Sequence, residues 1–209
     1  MSPTTPPGKR LDLPDAEVWL CEGWLARDEA ARLFEALVAA TAWRQEPIRM
    51  FGRTVMQPRL LAWHGDPDAT YTYSGVCHEP EPWTPDLSSV RERLLPVAGD
   101  FNSVLLNLYR DGRDRMGWHA DDERELGPEP VIASVSLGET RRFLLRHRTR
   151  RELDTVAIAL SAGDLLVMKG ATQHRWKHAV PGTAMSVGSR LNLTFRRIHP
   201  ALRGGKPLA

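Results

Sequence analysis

Cysteine is scarce: Cys21 and Cys77 are the only two in 209 residues, and they lie far apart outside any Cys-x-x-Cys spacing. No disulfide framework is expected, and both suit a reducing compartment as small hydrophobes. Long apolar runs are missing too, since nothing approaches eighteen consecutive apolar residues, so no transmembrane helix is predicted. The opening Met1-Ser2-Pro3-Thr4-Thr5-Pro6-Pro7 lacks a basic segment followed by an apolar one. Without a targeting signal of that kind, the expected place is the cytoplasm, of a bacterial-type cell. There is no Gly-x-x-x-x-Gly-Lys-Ser/Thr and no Gly-x-Gly-x-x-Gly, which removes the common nucleotide cradles. No internal repeat is visible.

What remains has 42% hydrophobic and 26% charged residues, the make-up of one soluble globular domain with a sizeable core. Charge is divided unevenly. Residues 1–100 hold 10 basic and 15 acidic groups and residues 101–209 hold 18 and 11, so the second half could face an anion. Within it Arg141, Arg142, Arg146, Arg148, Arg150 and Arg151 fall in eleven residues. Such a cluster reads either as a footprint for phosphates or as a solvated hairpin.

Residues 1–12 and 199–209 read as loose tails rich in Pro, Thr and Gly. Between Leu25 and Thr41, the residues Ala30, Leu33, Phe34, Leu37 and Val38 recur at helical spacing, with Asp28 and Glu29 at the entry. Thr84-Pro85-Asp86 reads as a cap followed by proline at the first helical position, opening a second helix that ends towards Pro96. Residues 44–83 are short pieces compatible with hairpins. From Phe101 onwards, short β-rich runs at 102–110, 117–121, 131–138, 141–148, 153–160, 164–169, 174–180 and 189–197 are separated by turn residues. Helices first and evenly spaced strands after predict an α+β, mainly β protein: an antiparallel sandwich or jelly roll with helices on one face. Residues 13–100 would be the helices and hairpins, and 101–198 the sheet core of one domain.

Gly117-Trp118-His119-Ala120-Asp121 carries the sharpest local chemistry. On an extended strand His119 and Asp121 project together, with Cα atoms roughly 6.6 Å apart. With a third His they would form the two-His-one-carboxylate set that suits Fe(II), while zinc would also accept such ligands. The run His174-Arg175-Trp176-Lys177-His178 offers two candidates, and position alone does not choose between them. On the C-terminal run, Arg190, Asn192, Thr194 and Arg196 share one face and Leu191, Leu193 and Phe195 the other. Residues 102–109 match it, with Leu105, Asn107 and Tyr109 on one face. If both polar faces line an interior beside a metal, the Arg forks, amides and phenol form a pocket for a small dicarboxylate.

Taken in order, Asn107-Leu108-Tyr109, Gly117 to Glu123, Ser134 to Gly138, His178 and Arg190 to Arg196 resemble the AlkB family of Fe(II)- and 2-oxoglutarate-dependent dioxygenases. The likeness covers roughly residues 45–198 and is nearest the branch that repairs duplex DNA. It implies a double-stranded β-helix and chooses His178, the histidine before Ala179-Val180-Pro181, as third ligand beside His119 and Asp121. It further implies that Arg190 grips the far carboxylate of 2-oxoglutarate, with Asn107, Tyr109, Asn192 and Arg196 completing the pocket and O2 as second co-substrate. The implied reaction is oxidative removal of N-methyl groups from DNA bases of the 1-methyladenine and 3-methylcytosine type, giving formaldehyde, succinate and CO2.

The substrate side of the resemblance is a lid formed by Gln57 to Asp66 and Tyr71 to Gly75. Trp63, Tyr71 and Tyr73 would stack on a flipped base, and Asp122 and Glu123 would read an exocyclic amine. Met50-Phe51-Gly52-Arg53 resembles an apolar finger, with Phe51 entering the gap left by the extruded base. The expected partner is alkylated DNA, duplex or single-stranded, handled by a monomer. Two other readings stand beside this one: the same chemistry on RNA or protein, and a non-catalytic, metal-containing nucleic-acid-binding module.

Overall fold

The computed structural model describes residues 5–50, 53–73 and 76–199, with backbone only at 48–50, 71–73 and 76–78. The expected finger residue Phe51 therefore lies outside the described residues, as do the side chains of Tyr71 and Tyr73. In chain order the elements are β1 (Lys9–Arg10), β2 (Glu17–Cys21), α1 (Arg27–Ala40), β3 (Pro47–Met50), β4 (Arg53–Met56), β5 (Leu60–Gly65), β6 (Tyr71–Tyr73), β7 (Val76–His78) and α2 (Pro85–Ala98). There follow β8 (Ser103–Tyr109), β9 (Met116–His119), a 3-10 turn (Arg124–Leu126), β10 (Ile132–Gly138), β11 (Arg141–His147), β12 (Val156–Leu160), β13 (Leu165–Lys169), α3 (Thr172–Arg175), β14 (Trp176–Val180) and β15 (Arg190–Arg196).

A seven-stranded sheet runs β1-β2-β13-β10-β15-β8-β5, a four-stranded one runs β12-β11-β14-β9, and β3-β4 and β6-β7 are separate hairpins. All the strand pairings between these elements are antiparallel. This is the jelly roll expected from the spacing of the short runs. No helix among the described residues is long and apolar enough to cross a membrane.

Two cores explain why the large sheet is apolar on one face and mixed on the other. On the outer face Val104, Leu106 and Leu108 of β8, with Leu191, Leu193 and Phe195 of β15, pack with Ala30 and Leu37 of α1 and Leu87, Val90 and Leu94 of α2. The alternation of a strand then turns Asn107, Tyr109, Arg190, Asn192 and Thr194 inwards, towards the small sheet. Between the sheets Tyr109, Ile132, Phe143, Leu145, Met168 and Trp176 form the second core.

Helix α2 starts as its sequence predicts, with Thr84 Oγ1 accepting from the Leu87 N–H at 3.3 Å and Pro85 following. It does not end at Pro96: the helix carries that proline in its last turn and closes at Ala98. Pro96 lies on the solvent side, where water can take the carbonyl its missing N–H leaves free. At the end of β10, Gly138 has φ +77°, and a Cβ there would sit 2.5 Å from the Ser189 carbonyl and 2.7 Å from the Phe34 ring. Only glycine lets α1 and the start of β15 come that close.

The arginine cluster is not one surface. Arg141 is buried and donates to the carbonyls of Asp111 (3.0 Å), Asp114 (2.8 Å) and Pro181 (2.8 Å), tying two loops together at one end of the small sheet. Arg148 pairs with Asp122 at 2.7 Å, and Arg150 with Glu152 at 2.9 Å. Arg142 and Arg146 point outwards, with Arg146 over the Trp118 ring at 4.2 Å. A phosphate footprint containing Arg141 is thus corrected, because that side chain serves three carbonyls. Replacing it strands them: Arg141→Met is expected to lower stability by about 3 kcal/mol, read from the urea midpoint.

Candidate active site

The inward residues of β8, β15, β9 and β14 meet at the end of the cleft between the sheets. Pairing brings the site together from two distant stretches, β8 with β9 and β14 with β15. Asn192 lies opposite Asn107, Arg190 opposite Tyr109 and His178 opposite His119. On β9 the register against β14 slips, with His178 facing His119 but Val180 facing Met116. Gly117 and Trp118 on one strand thus stand against the single residue Ala179 on the other, a bulge. It leaves both Met116 and His119 lining the cavity, while Trp118 lies outside under Arg146.

The ligand atoms of His119, Asp121 and His178 all lie within 4.8 Å of one another. The two imidazoles meet edge to face at 4.1 Å, and His178 Nε2 is 3.6 Å from Asp121 Oδ2. His119 Nδ1 bonds the Gly117 carbonyl at 2.8 Å, which keeps the proton there and turns Nε2 towards the site. The Phe143 ring stacks on His178 at 5.2 Å.

His174, the other candidate, is not on a strand. Residues 172–175 form the short helix α3, and His174 is exposed with its ring against the Pro128 carbonyl. The expected strand 174–180 therefore begins only at Trp176, and the alternation argument that put both histidines on one face fails for that reason.

Electrostatics favour deprotonated ligands. Burial, followed by the neighbouring His119, pulls His178 from the ordinary 6.5 down to about 3. Burial also lowers His119. Burial pushes Asp121 up, but Arg196, His178 and His119 more than offset it, and the carboxyl lies below the usual range. Arg196 pairs with Asp121 Oδ1, so Oδ2 is the oxygen on the His178 side. Neutral imidazoles and an ionised carboxylate are the forms a metal requires.

A stability consequence follows. The folded pKa of His178 is depressed, so its neutral form contributes stability that is present above 6.5 and lost as pH falls towards 3. The metal-free protein is expected to lose melting temperature through that window, and His178→Gln to flatten the loss, as calorimetry at stepped pH will show.

Beside the three ligands lies the polar pocket. Arg190, 1% exposed, donates through Nη2 to Ser136 Oγ (2.9 Å) and Asn192 Oδ1 (2.8 Å), and its guanidinium lies 5.4 Å from the Tyr109 ring centre. Its Nε and Nη1 are buried with no hydrogen-bond partner, and burial pulls its pKa down. A buried fork with idle donors is matched by a carboxylate. Asn192 spends its amide inside the wall, accepting also from Ser134 (2.9 Å) and donating to Thr194 (2.7 Å). Its part is to hold Arg190. Asn107 Oδ1 accepts from the buried Arg59 Nε at 2.8 Å, so its NH2 is the end left for the cavity it lines.

Donor set and pocket fit Fe(II) and 2-oxoglutarate: two nitrogens and one carboxylate on one side, and a buried cationic fork on the other.

On the substrate side, Trp63 of β5 is half-buried and lies opposite Leu105, on the face shared with Asn107. Asp122, next to the ligand Asp121, is held by Arg148, and Glu123 opens the 3-10 turn. Sequence reasoning missed Met116 and Gln173, and it quoted Arg59 within the lid run and Ser134 and Ser136 within the Ser134 to Gly138 run without giving their side chains a role. Gln173 is fully buried and its Oε1 accepts from the Asp121 N–H at 3.0 Å. Met116 and Gln173 belong to no quoted motif, and the bonds that all five make emerge only from three-dimensional pairing.

Comparison with known proteins agrees with this geometry. The family described as the 2OG-Fe(II) oxygenase superfamily matches residues 17–196. The chain is 41% identical over 198 residues to the alpha-ketoglutarate-dependent dioxygenase alkB homolog 3 of Bos taurus, covering 90% of this chain and 68% of the relative. It is 44% identical over 160 residues to the DNA oxidative demethylase ALKBH2 of Mus musculus, covering 73% and 67%. With ALKBH2 of Arabidopsis thaliana identity is 34% over 225 residues, covering 94% and 71%. The solved structure of OsALKBH1 superposes with a TM-score of 0.61 at 19% identity, covering 91% of this chain and all of that one, a likeness of fold. The chain belongs to the 2OG-Fe(II) oxygenase superfamily, in its AlkB branch, and is a dioxygenase that uses Fe(II) and 2-oxoglutarate.

Proposed function

We propose that this dioxygenase removes N-methyl groups from damaged bases in DNA, of the 1-methyladenine and 3-methylcytosine type. The observation that carries the reading is 44% identity, over 160 residues and 73% of this chain, to a protein named for DNA oxidative demethylation. Bound iron, 2-oxoglutarate and O2 supply the oxidising power that hydroxylates the methyl carbon, while succinate and CO2 leave and the unstable N-hydroxymethyl group is lost as formaldehyde.

The chain's own residues do the positioning. His119, Asp121 and His178 hold the metal in their deprotonated forms, and Arg196 fixes the carboxylate of Asp121. Arg190, held by Ser136 and Asn192, takes the far carboxylate of the co-substrate, with the Asn107 amide and Tyr109 beside it. Trp63, Tyr71 and Tyr73 provide stacking faces for a base turned out of its stack, and Asp122 and Glu123 provide acceptors for its exocyclic amine. Phe51 fills the space the base leaves.

Formaldehyde release from methylated single-stranded DNA, duplex DNA, RNA and peptide tests the substrate class. DNA is expected to turn over fastest; faster turnover of RNA or peptide would replace the reading. In the same assay Phe51→Ala is expected to slow duplex repair about tenfold, the equivalent of roughly 1.4 kcal/mol of lost wedge contact, and to leave single strands unaffected.

A further inference from the structure

We infer that Gln173 is a positioning residue for the metal: it locks the main chain of Asp121 to the segment that carries His178. Strand β9 ends at His119, so the Asp121 N–H lies beyond the sheet ladder in a buried place. A buried N–H must find an acceptor. The acceptor is the Gln173 side chain, 0% exposed, at 3.0 Å and 52 residues away in sequence.

Where Gln173 sits gives the bond its meaning. Helix α3 runs directly into β14, and His178 lies five residues after Gln173. One side chain therefore joins the two segments whose ligands face each other at 3.6 Å. The amide is itself held: Nε2 donates to Met168 Sδ at 3.4 Å. The turn is pinned separately, because Thr172 Oγ1 accepts from the Glu17 N–H at 2.9 Å and donates to the Lys169 carbonyl.

A residue needed only to fill this space could be apolar, since its surroundings include Met168. The acceptor oxygen is what Asp121 requires. Arg196 fixes one carboxylate oxygen and Gln173 fixes the backbone from which the carboxylate hangs. Together they leave Oδ2 aimed at His178. Groups that orient metal ligands in this way typically change metal affinity about 10–100-fold when removed.

The test titrates Mn(II), a redox-stable stand-in for Fe(II), into the metal-free full chain, following the spectroscopic signal of the free ion. It does not depend on which nucleic acid is the substrate. Gln173→Met, which keeps the volume and loses the acceptor, is expected to weaken binding about tenfold or more. Gln173→Glu keeps an acceptor oxygen in reach and is expected to recover most of the affinity. Thr172→Ala, which removes only the pinning bonds, is expected to lower the melting temperature and bind the metal as wild type does. If Gln173→Met does not fold, Gln173→Ala carries the same expectation. Unchanged affinity in the Met and Ala variants would overturn the inference. So would an equal loss in Gln173→Glu, or a loss in Thr172→Ala that matches theirs.

Discussion

His178→Ala is expected to leave a folded protein that no longer retains iron and no longer releases formaldehyde. His178 lies on the middle of β14, between the Phe143 ring and His119, so its removal opens a small space without cutting a sheet hydrogen bond. Its buried imidazole is already neutral, with a pKa pulled to about 3, and the fold loses no ion pair that it needs. What goes is one of three donors. Since an orienting group alone changes metal affinity about 10–100-fold, loss of a donor should exceed that range. Asp121→Ala is expected to be worse for the fold, because it removes the buried carboxylate that pairs with Arg196. Metal analysis after dialysis, with circular dichroism as the control, separates lost metal from lost structure.

Arg190→Met is expected to raise the KM for 2-oxoglutarate about a hundredfold or more, within the 2–5 kcal/mol that follows truncation of a buried, hydrogen-bonded charge pair. The same change should stabilise the co-substrate-free protein. Its cation is buried with Nε and Nη1 unpartnered, so removing it ends a desolvation penalty. Opposite signs for affinity and melting temperature would mark a group kept for its ligand and not for the fold. Arg190→Lys should not rescue binding, because an ammonium offers a carboxylate no planar fork of parallel N–H donors. Steady-state kinetics and calorimetry on the two variants check both halves.

The jelly roll was legible because its strands alternate. Leu191, Leu193 and Phe195 had to face an apolar layer, which put Arg190, Asn192 and Thr194 on the other side, and the two-core packing has that form. The ligand pair His119 and Asp121 was legible for a related reason, but the local geometry was not. A bulge in β9 is what places Met116 and His119 on one side, and Asp121 falls beyond the strand's end. Alternation misled at His174, because a single helical turn at residues 172–175 breaks the register before the strand starts. Charge clustering misled at Arg141, whose neighbours in sequence are exposed while it reaches inwards to three carbonyls. Gln173 carried no signal at all, and Arg59 stood in the lid run without any sign of its partner. Each acts on one atom of a residue far along the chain, Gln173 on the Asp121 N–H and Arg59 on Asn107 Oδ1, and such bonds have no spacing to recognise.

The central claim is that His119, Asp121 and His178 hold ferrous iron beside a pocket in which Arg190 receives a keto diacid. Anaerobic addition of 2-oxoglutarate to the iron-loaded protein, followed by visible absorption, tests it most directly. Chelation of iron by the keto acid should produce a charge-transfer band that saturates with one equivalent of co-substrate, needs about a hundredfold more in Arg190→Met, and is absent in His119→Ala. Iron bound with no such band in the wild type, or a band of unchanged affinity in both variants, would contradict it.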